Sequence, residues 1–449
     1  MKKIFIYIII PCILLSINNL NAQPGFLDPS FGEGGLSNLQ PGYYSYTAII
    51  PQSSGKIIGT GNGFVLDRYE NNGNIDVNFG TNGRLFLPSG VYSSTGVGID
   101  ELDDKKLIIG GWYVPSGTNV DVLVIRTNSD GIVDSSFGWN GAATMDIDHR
   151  DYAEAMIVQP DGKIIVVGEL GKNEYDLLRI FLARFNPDGS IDSSFGTDGH
   201  TTMKFDYATT CMSIALQDDD KILVGGTYNT LSSRPSYYVA RFNQNGSKDK
   251  IFGDDGIASY IFGIGQGSDD WDNELFAIAV QSDGKIVCGG KQGDFVHWSY
   301  DMGLVRFNMD GSLDETYGED GTVKINYPGY FSKINTLLIQ PDGKLVAGAN
   351  AQTNSGNHDR MLLLRLLENG HLDSGFAVNG IQETLNGEST TYCKSSCLQE
   401  DGKIILAGES NSRILLARYN NDNVLAANFK EVKAIQENDK ITINLQTLN

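Results

Sequence analysis

The chain repeats itself seven times at a spacing of about sixty residues, and this repetition limits the fold more than any single residue does. Three marks recur together. The first is a turn closing on a lysine, as in Asp161-Gly162-Lys163, which places Lys56, Lys106, Lys163, Lys221, Lys285, Lys344 and Lys403 in equivalent positions. The second is an arginine inside an apolar run: Arg68, Arg126, Arg184, Arg241, Arg306, Arg365 and Arg418. The third is Asp-x-x-aromatic with a glycine four residues beyond the aromatic. Its aspartates are Asp28, Asp76, Asp134, Asp192, Asp249, Asp314 and Asp373, and its aromatics are Phe31, Phe79, Phe137, Phe195, Phe252, Tyr317 and Phe376.

Each unit reads as four strands. In the third, an apolar strand over Tyr152 to Gln159 turns at Asp161-Gly162 into Lys163 to Gly168, which is apolar on both faces as a doubly buried strand should be. A variable loop leads to Ile180 to Asn186, and Pro187-Asp188-Gly189 turns that strand toward a more polar fourth, Thr201 to Phe205. Asp-Gly pairs supply the positive φ that tight hairpins need. Four antiparallel strands repeated seven times predict an all-β, seven-bladed β-propeller. A parallel β-helix is the competing reading, but its rungs are shorter and lack hairpin turns. The ends agree with closure. The chain opens with the third mark and a fourth-strand segment, Gly34 to Leu39, and its seventh unit stops at a third strand, Arg413 to Asn420. The amino-terminal strand is therefore expected to join the last blade and hide two sheet edges.

Met1 to Ala22 reads as a secretory signal peptide: Lys2 and Lys3, an apolar stretch from Ile4 to Ile17, and small Ala22 before Gln23. That stretch is short for a membrane span, and no later segment is longer. Pro11 before Cys12 argues against lipid attachment. The expected organisation is a signal peptide over 1–22, a propeller over 23–425 and a tail over 426–449 forming one hairpin. The expected location is secreted, extracellular or outer-surface associated. A net charge of −21, moving to −23 without the signal, is a solubility feature that repels nucleic acid and anionic lipid. Cys211, Cys288, Cys393 and Cys397 are expected as buried thiols, with a disulfide framework or metal site as the rarer alternatives.

The stretches "QPDGKIIVVGE", "FLARFNPDGSIDSSFGTDG", "QSDGKIVCGG" and "GLVRFNMDGSLDETYGEDG" make the chain resemble the delta-60 repeat family of exported bacterial proteins, from Leu27 to about Asn420. The resemblance implies a propeller-like repeat domain outside the cell. It implies no catalytic residue and no cofactor, because that family has no agreed activity. Ser54 in place of Asp, the missing glycine before Lys106, and Asn423 where other units place a turn glycine depart from the pattern.

One charge per unit invites a ring of bound ions or a polyanion site. The structural alternative is simpler: a buried arginine must be paired, and an aspartate stands eight residues later. Asn186, Asp188 and Asp192 supply too few alternating oxygens for a calcium loop. Function is then expected where units differ, in the connections between strands two and three and between units, which share one end of the ring. Those connections carry Trp112, Tyr113, Tyr152, Tyr228, Trp271, Asp270, Asp272, Trp298, Tyr300 and Tyr330. Flat aromatics beside carboxylates fit a glycan or protein partner for a monomeric ring, although each ring is equally suited to packing its own loop. A polysaccharide-degrading hydrolase or lyase using Asp269 to Asp272 is the rival reading, and a surface spacer is a third. His149, His200, His297, His358 and His371 show no metal-ligand spacing, and no catalytic motif, cofactor or metal is expected.

Overall fold

The computed structural model describes residues 23–37, 46–86, 93–115, 119–171, 179–229, 235–263, 273–294, 299–353, 359–387, 390–422, 429–437 and 440–447. Seven blades follow one another along the chain. Blade 1 comprises β1 (Tyr46–Pro51), β2 (Ile57–Gly61), β3 (Val65–Tyr69) and β4 (Arg84–Phe86). Blade 2 comprises β5 (Ser94–Glu101), β6 (Leu107–Tyr113), β7 (Asp121–Thr127) and β8 (Ala142–Met145). Blade 3 has β9 (Asp151–Val158), β10 (Ile164–Leu170), β11 (Arg179–Phe185) and β12 (His200–Lys204), within two residues of the sequence expectation. Blade 4 has β13 (Thr209–Leu216), β14 (Ile222–Asn229), β15 (Pro235–Phe242) and β16 (Ile257–Tyr260). Blade 5 runs from β17 (Glu274–Val280) through β18 (Ile286–Asp294) and β19 (Ser299–Phe307) to β20 (Thr322–Ile325). Blade 6 runs from β21 (Phe331–Ile339) through β22 (Leu345–Gln352) and β23 (Arg360–Leu366) to β24 (Ile381–Thr384). Blade 7 has three strands of its own, β25 (Thr391–Leu398), β26 (Ile404–Ser410) and β27 (Arg413–Tyr419). In every blade the strands pair antiparallel in sequence order.

That order fixes the two ends of the ring. The one-to-two and three-to-four turns lie at one end; the two-to-three and blade-to-blade connections lie at the other. First strands are innermost and lie against one another around the ring, β25 against β1 closing it. The Ile49 amide donates to Ser395 Oγ across that closure (3.2 Å). The core is divided into clusters between blades, such as Ile108, Val124, Phe137, Val166 and Phe181 between blades 2 and 3. Another joins Tyr46, Ile57, Ile405 and Leu416 between blades 1 and 7. Cys211, Cys288, Cys393 and Cys397 are free, buried thiols within these seams.

The three sequence marks meet at one point in each blade. Arg68 Nε donates to Asp76 (2.7 Å), Arg184 to Asp192 (2.8 Å), Arg241 to Asp249 (2.8 Å) and Arg306 to Asp314 (2.7 Å). Arg126 and Arg365 pair with Asp134 and Asp373, each at 2.9 Å. The marking lysine reaches the same carboxylate, as Lys163 reaches Asp192 (3.2 Å) and Lys221 reaches Asp249 (2.9 Å). Each guanidinium also lies over the aromatic of the third mark, 4.3 Å from the ring centre for Arg184 over Phe195. Its Nη1 then donates to a carbonyl of the next blade: Arg68 to Ser129, Arg126 to Pro187, Arg184 to Gln244, Arg241 to Met309, Arg306 to Glu368. A turn glycine of that next blade caps the aromatic from above. At Gly189 (φ +85°) an added Cβ would meet the Phe137 ring at 3.0 Å and the Gly138 amide at 2.6 Å.

The seventh cluster joins the two ends of the chain. Eight residues beyond Arg418 stands Ala426, and the carboxylate comes instead from Asp28 (2.9 Å), with Lys403 at 3.2 Å and Phe31 under the guanidinium at 4.6 Å. Backbone bonds from Asp28 N to Arg418 O (2.8 Å) and from Ser37 N to Leu416 O (2.9 Å) lay this segment along β27, with bridges at Leu27–Tyr419 and Leu36–Ala417. After blade 7, β28 (Phe429–Glu437) and β29 (Lys440–Thr447) pair as an antiparallel hairpin.

Removing one partner of a buried pair strands the other charge, so Arg418→Ala should cost about 3–5 kcal/mol. It should also release the 25–37 backbone: denaturant midpoints fall and hydrogen exchange at the Asp28 and Ser37 amides rises, whereas unchanged exchange there would contradict the closure. Burial alone would raise the Asp192 carboxyl, but Ser194, Lys163 and Arg184 outweigh it and hold it at about 2. A carboxyl held below its unfolded value of about 3.9 stabilises fully above that pH and loses its contribution as pH falls through the folded value. Asp192→Asn should therefore cost on the order of 1–2 kcal/mol at pH 7, a gap that closes as pH drops from about 4 to about 2 in thermal unfolding.

Candidate functional site

The irregular end carries charge that the repeats do not explain. At the seam of blades 2 and 3, Asp121 opens β7, Asp146 follows β8 and Asp151 opens β9, and one oxygen from each lies within 4.8 Å of the others. Asp151 is fully buried and accepts the Ile147 and Asp148 amides (2.7 and 3.0 Å), which folds the 146–151 connection back onto its own strand. Thr209, Ser332 and Thr391 occupy the corresponding register positions in blades 4, 6 and 7. Asn119 Nδ2 donates to Asp121 (2.7 Å) and reaches Asp146 (3.4 Å). Burial first, then Asp146, lifts the Asp121 carboxyl to about 6. Burial likewise lifts Asp151 to about 7, against its two amide donors and with repulsion from Asp146 and Asp121. These three hard oxygens are a part of the roughly six to eight that a divalent cation of the calcium type takes. Among the described residues this is the one group of three side chains so placed. Sequence reasoning missed it because Asp121 and Asp146 sit 25 residues apart and only the antiparallel pairing of β7 with β8 joins them.

The aromatics expected on this end are half-buried and shared among several seams. Trp112 meets Tyr152 edge to face at 5.3 Å between blades 2 and 3, while Tyr113, whose hydroxyl is raised by burial and by Asp121, packs on the opposite face of β6 toward blade 1. Tyr228 packs on Phe205 and Tyr238 (5.5 and 6.0 Å) between blades 3 and 4. Tyr300 stacks on Phe331 (5.2 Å) and donates to Gln352 (2.8 Å) between blades 5 and 6. Tyr330 packs on Tyr327 (5.3 Å) and under Arg360, which pairs with Glu383. Asp148 pairs with Arg179. Asp270, Trp271, Asp272 and Trp298, and with them the acidic loop of the degradative reading, lie outside the described residues.

The regular end also has cavities. A cleft of about 580 Å³ between blades 3 and 4 is lined by Gln159, Asp161, Lys163 and Gln244, and a smaller one of about 160 Å³ between blades 7 and 1 by the equivalent Gln399, Asp401 and Asn71. Because the lining positions correspond, these are products of the repeat. Trp139, 81% exposed at this end, was not singled out by the sequence reasoning. Aligning the third marks would have found it, because Glu33, Thr81, Thr197, Asp254, Glu319 and Val378 stand in its place elsewhere and none of them is aromatic.

Comparison with known proteins places six stretches of the chain in one family model, described as "Domain of unknown function (DUF5122) beta-propeller": residues 102–137, 159–195, 217–252, 281–317, 340–376 and 399–425. Each spans the second and third strands of a blade, from blade 2 to blade 7; blade 1, with Ser54 in its first mark, is not matched. The match supports the repeat class but does not carry the delta-60 name. No curated protein matches. Among solved structures, the WD40 repeats of RRP9 are 9% identical over 88% of this chain and 99% of that one, with a TM-score of 0.49. The polysaccharide lyase PL25 ulvan lyase is 11% identical over 80% and 95%, with a TM-score of 0.42. PorZ of the type-IX secretion system of Porphyromonas gingivalis is 13% identical over 87% of this chain and 48% of its own, with a TM-score of 0.44. The chain is a seven-bladed β-propeller repeat protein, and the stretches of blades 2 to 7 that match the DUF5122 beta-propeller model make up less than half of it.

Proposed function

We propose that this chain is an exported or cell-surface binding module of the delta-60 type, holding a glycan or protein at the irregular end of its ring. The observation that carries the reading is geometric: Asp121, Asp146 and Asp151 bring one oxygen each within 4.8 Å of one another at the irregular end, where the repeat requires no carboxylate. At the regular end, Asp192 and Asp314 are held at about 2 by hydroxyl, lysine and arginine partners, and they fasten blades. At the irregular end, Asp121 and Asp151 are raised to about 6 and 7, with other carboxylates as neighbours. Carboxylates shifted upward in this way cluster at working sites, and here the shift accompanies the clustering of three side chains. The half-buried tyrosines and Trp112 around them add contact area at low ordering cost. Export is supported by the Lys2-Lys3 start, the apolar Ile4 to Ile17 stretch and Ala22. No helix among the described residues is long and apolar enough to cross a membrane.

The full chain should be screened against immobilised glycans and purified surface proteins, and any ligand found titrated against variants of each end. Asp146→Asn combined with Tyr330→Ala should weaken binding at least tenfold, while Trp139→Ser at the regular end should leave it unchanged. The reverse ranking would move the working surface to the other end of the ring.

A further inference from the structure

A further cavity reaches the irregular end of the ring. Between the outer strands of blades 3 and 4 runs a groove of about 470 Å³, within the range of about 300–1,000 Å³ usual for small-ligand sites. Its floor is aromatic. Tyr228, at the end of β14, is backed by Phe205 and Tyr238, and its hydroxyl donates toward Ser259 Oγ (3.4 Å). A ring held from behind and by its hydroxyl offers a flat apolar surface with little left to order on binding. Tyr207 stands on the connection from β12 to β13, and the Asn229 amide pins that connection by donating to the Ala208 carbonyl (2.9 Å). The lips are polar and of mixed kind: Lys204 and Asp206 on the blade 3 side, and on the blade 4 side Asn229 at the irregular end with Asp254 of the regular three-to-four turn, so that the groove runs along β16 from one end toward the other.

The choice of ligand follows from that mixture. A polyhydroxylated ring has a C–H face for an aromatic floor and hydroxyls that both donate and accept, matching carboxylate, amide and ammonium at the lips. An anionic ligand meets two carboxylates against one lysine in a chain of net charge −21. A purely apolar ligand would strand the lip groups without water. A basic peptide would face Lys204. We infer that this groove holds one neutral hexose unit of a glycan, its flat face on Tyr228 and its hydroxyls bridged to Asp206 and Asn229. This inference rests on the reading of the irregular end as a binding face.

The test is calorimetry of the full chain with neutral gluco-, manno-, galacto- and xylo-oligosaccharides, acidic oligogalacturonides and a lysine-rich peptide. At least one neutral series should bind. Tyr228→Ala should weaken it at least tenfold, Tyr228→Phe should hold it within about threefold because the ring face remains, and Asp206→Asn should weaken it severalfold. Tyr207→Ala, on an exposed connection, serves if Tyr228→Ala does not fold, and should also weaken binding severalfold. Preference for the acidic oligosaccharide or the peptide, or no binding of any neutral series, overturns the inference. Neutral-glycan binding that ignores Tyr228, Tyr207 and Asp206 but falls with Asp146→Asn and Tyr330→Ala overturns the groove and keeps the face. Binding that ignores both sets of variants overturns the face as well.

Discussion

The ring depends on one arrangement made seven times: a buried guanidinium held by a carboxylate of its own blade, an aromatic face beneath it and a carbonyl of the next blade. Taking an arginine such as Arg365 out of water costs more than one ion pair returns. The arrangement is tolerable because the charge is met on several sides at once. Asp373 accepts Nε, the Phe376 ring lies 4.3 Å away, and Asn421 accepts Nη1. Since the last contact always reaches forward to the next blade, no blade satisfies its arginine alone. Arg418 shows the consequence, donating to Asn71 of blade 1 while taking its carboxylate from Asp28. A chain of repeats with two ends becomes a cycle with none.

This arrangement also divides the molecule by duty. All seven clusters lie toward the regular turns, where a substitution would disturb two blades. The other end owes nothing to the period and can vary without opening the ring. The same residue type behaves oppositely at the two ends: Asp314 is held charged by Thr316, Lys285 and Arg306, whereas Asp151 is pushed toward its neutral form by burial and neighbouring acids. Thr209 and Thr391 open their strands without a charge, so the carboxylate of Asp151 is not something a blade requires.

The period made most of the fold legible. Arginine, aspartate and aromatic recur at fixed spacing because each blade solves the same burial problem, and the missing fourth strand after Asn420 pointed to the amino-terminal segment. The convergence of Lys163 with Arg184 on Asp192 was less visible, because a lysine at a turn reads as solvated surface until the turn is folded over the carboxylate. The working end was legible only as a location. Asp121 and Asp146 become neighbours through the pairing of β7 with β8, and Asp151 joins them only as blade 3 docks on blade 2. Trp139 is inconspicuous in the sequence because it is an irregular residue at a regular position of the repeat.

The geometry of radiating sheets explains what the rim aromatics do. Seven sheets that touch at their first strands must diverge toward their fourth, so each seam is a wedge widening outward. At the regular end the wedge is filled by the repeated aromatic, capped by the next blade's glycine, as Phe195 is by Gly246. At the irregular end no repeated residue fills it, and each seam finds its own: Trp112 with Tyr152, Tyr237 with Phe262, Tyr300 with Phe331. Many large side chains there are therefore wedge fillers first, which is why aromatic content alone is a poor guide to a binding site. A seam filled incompletely is more informative. Between blades 3 and 4 three rings pack together and still leave a groove with polar lips, so the space itself, more than the rings beside it, marks where a ligand is to be sought.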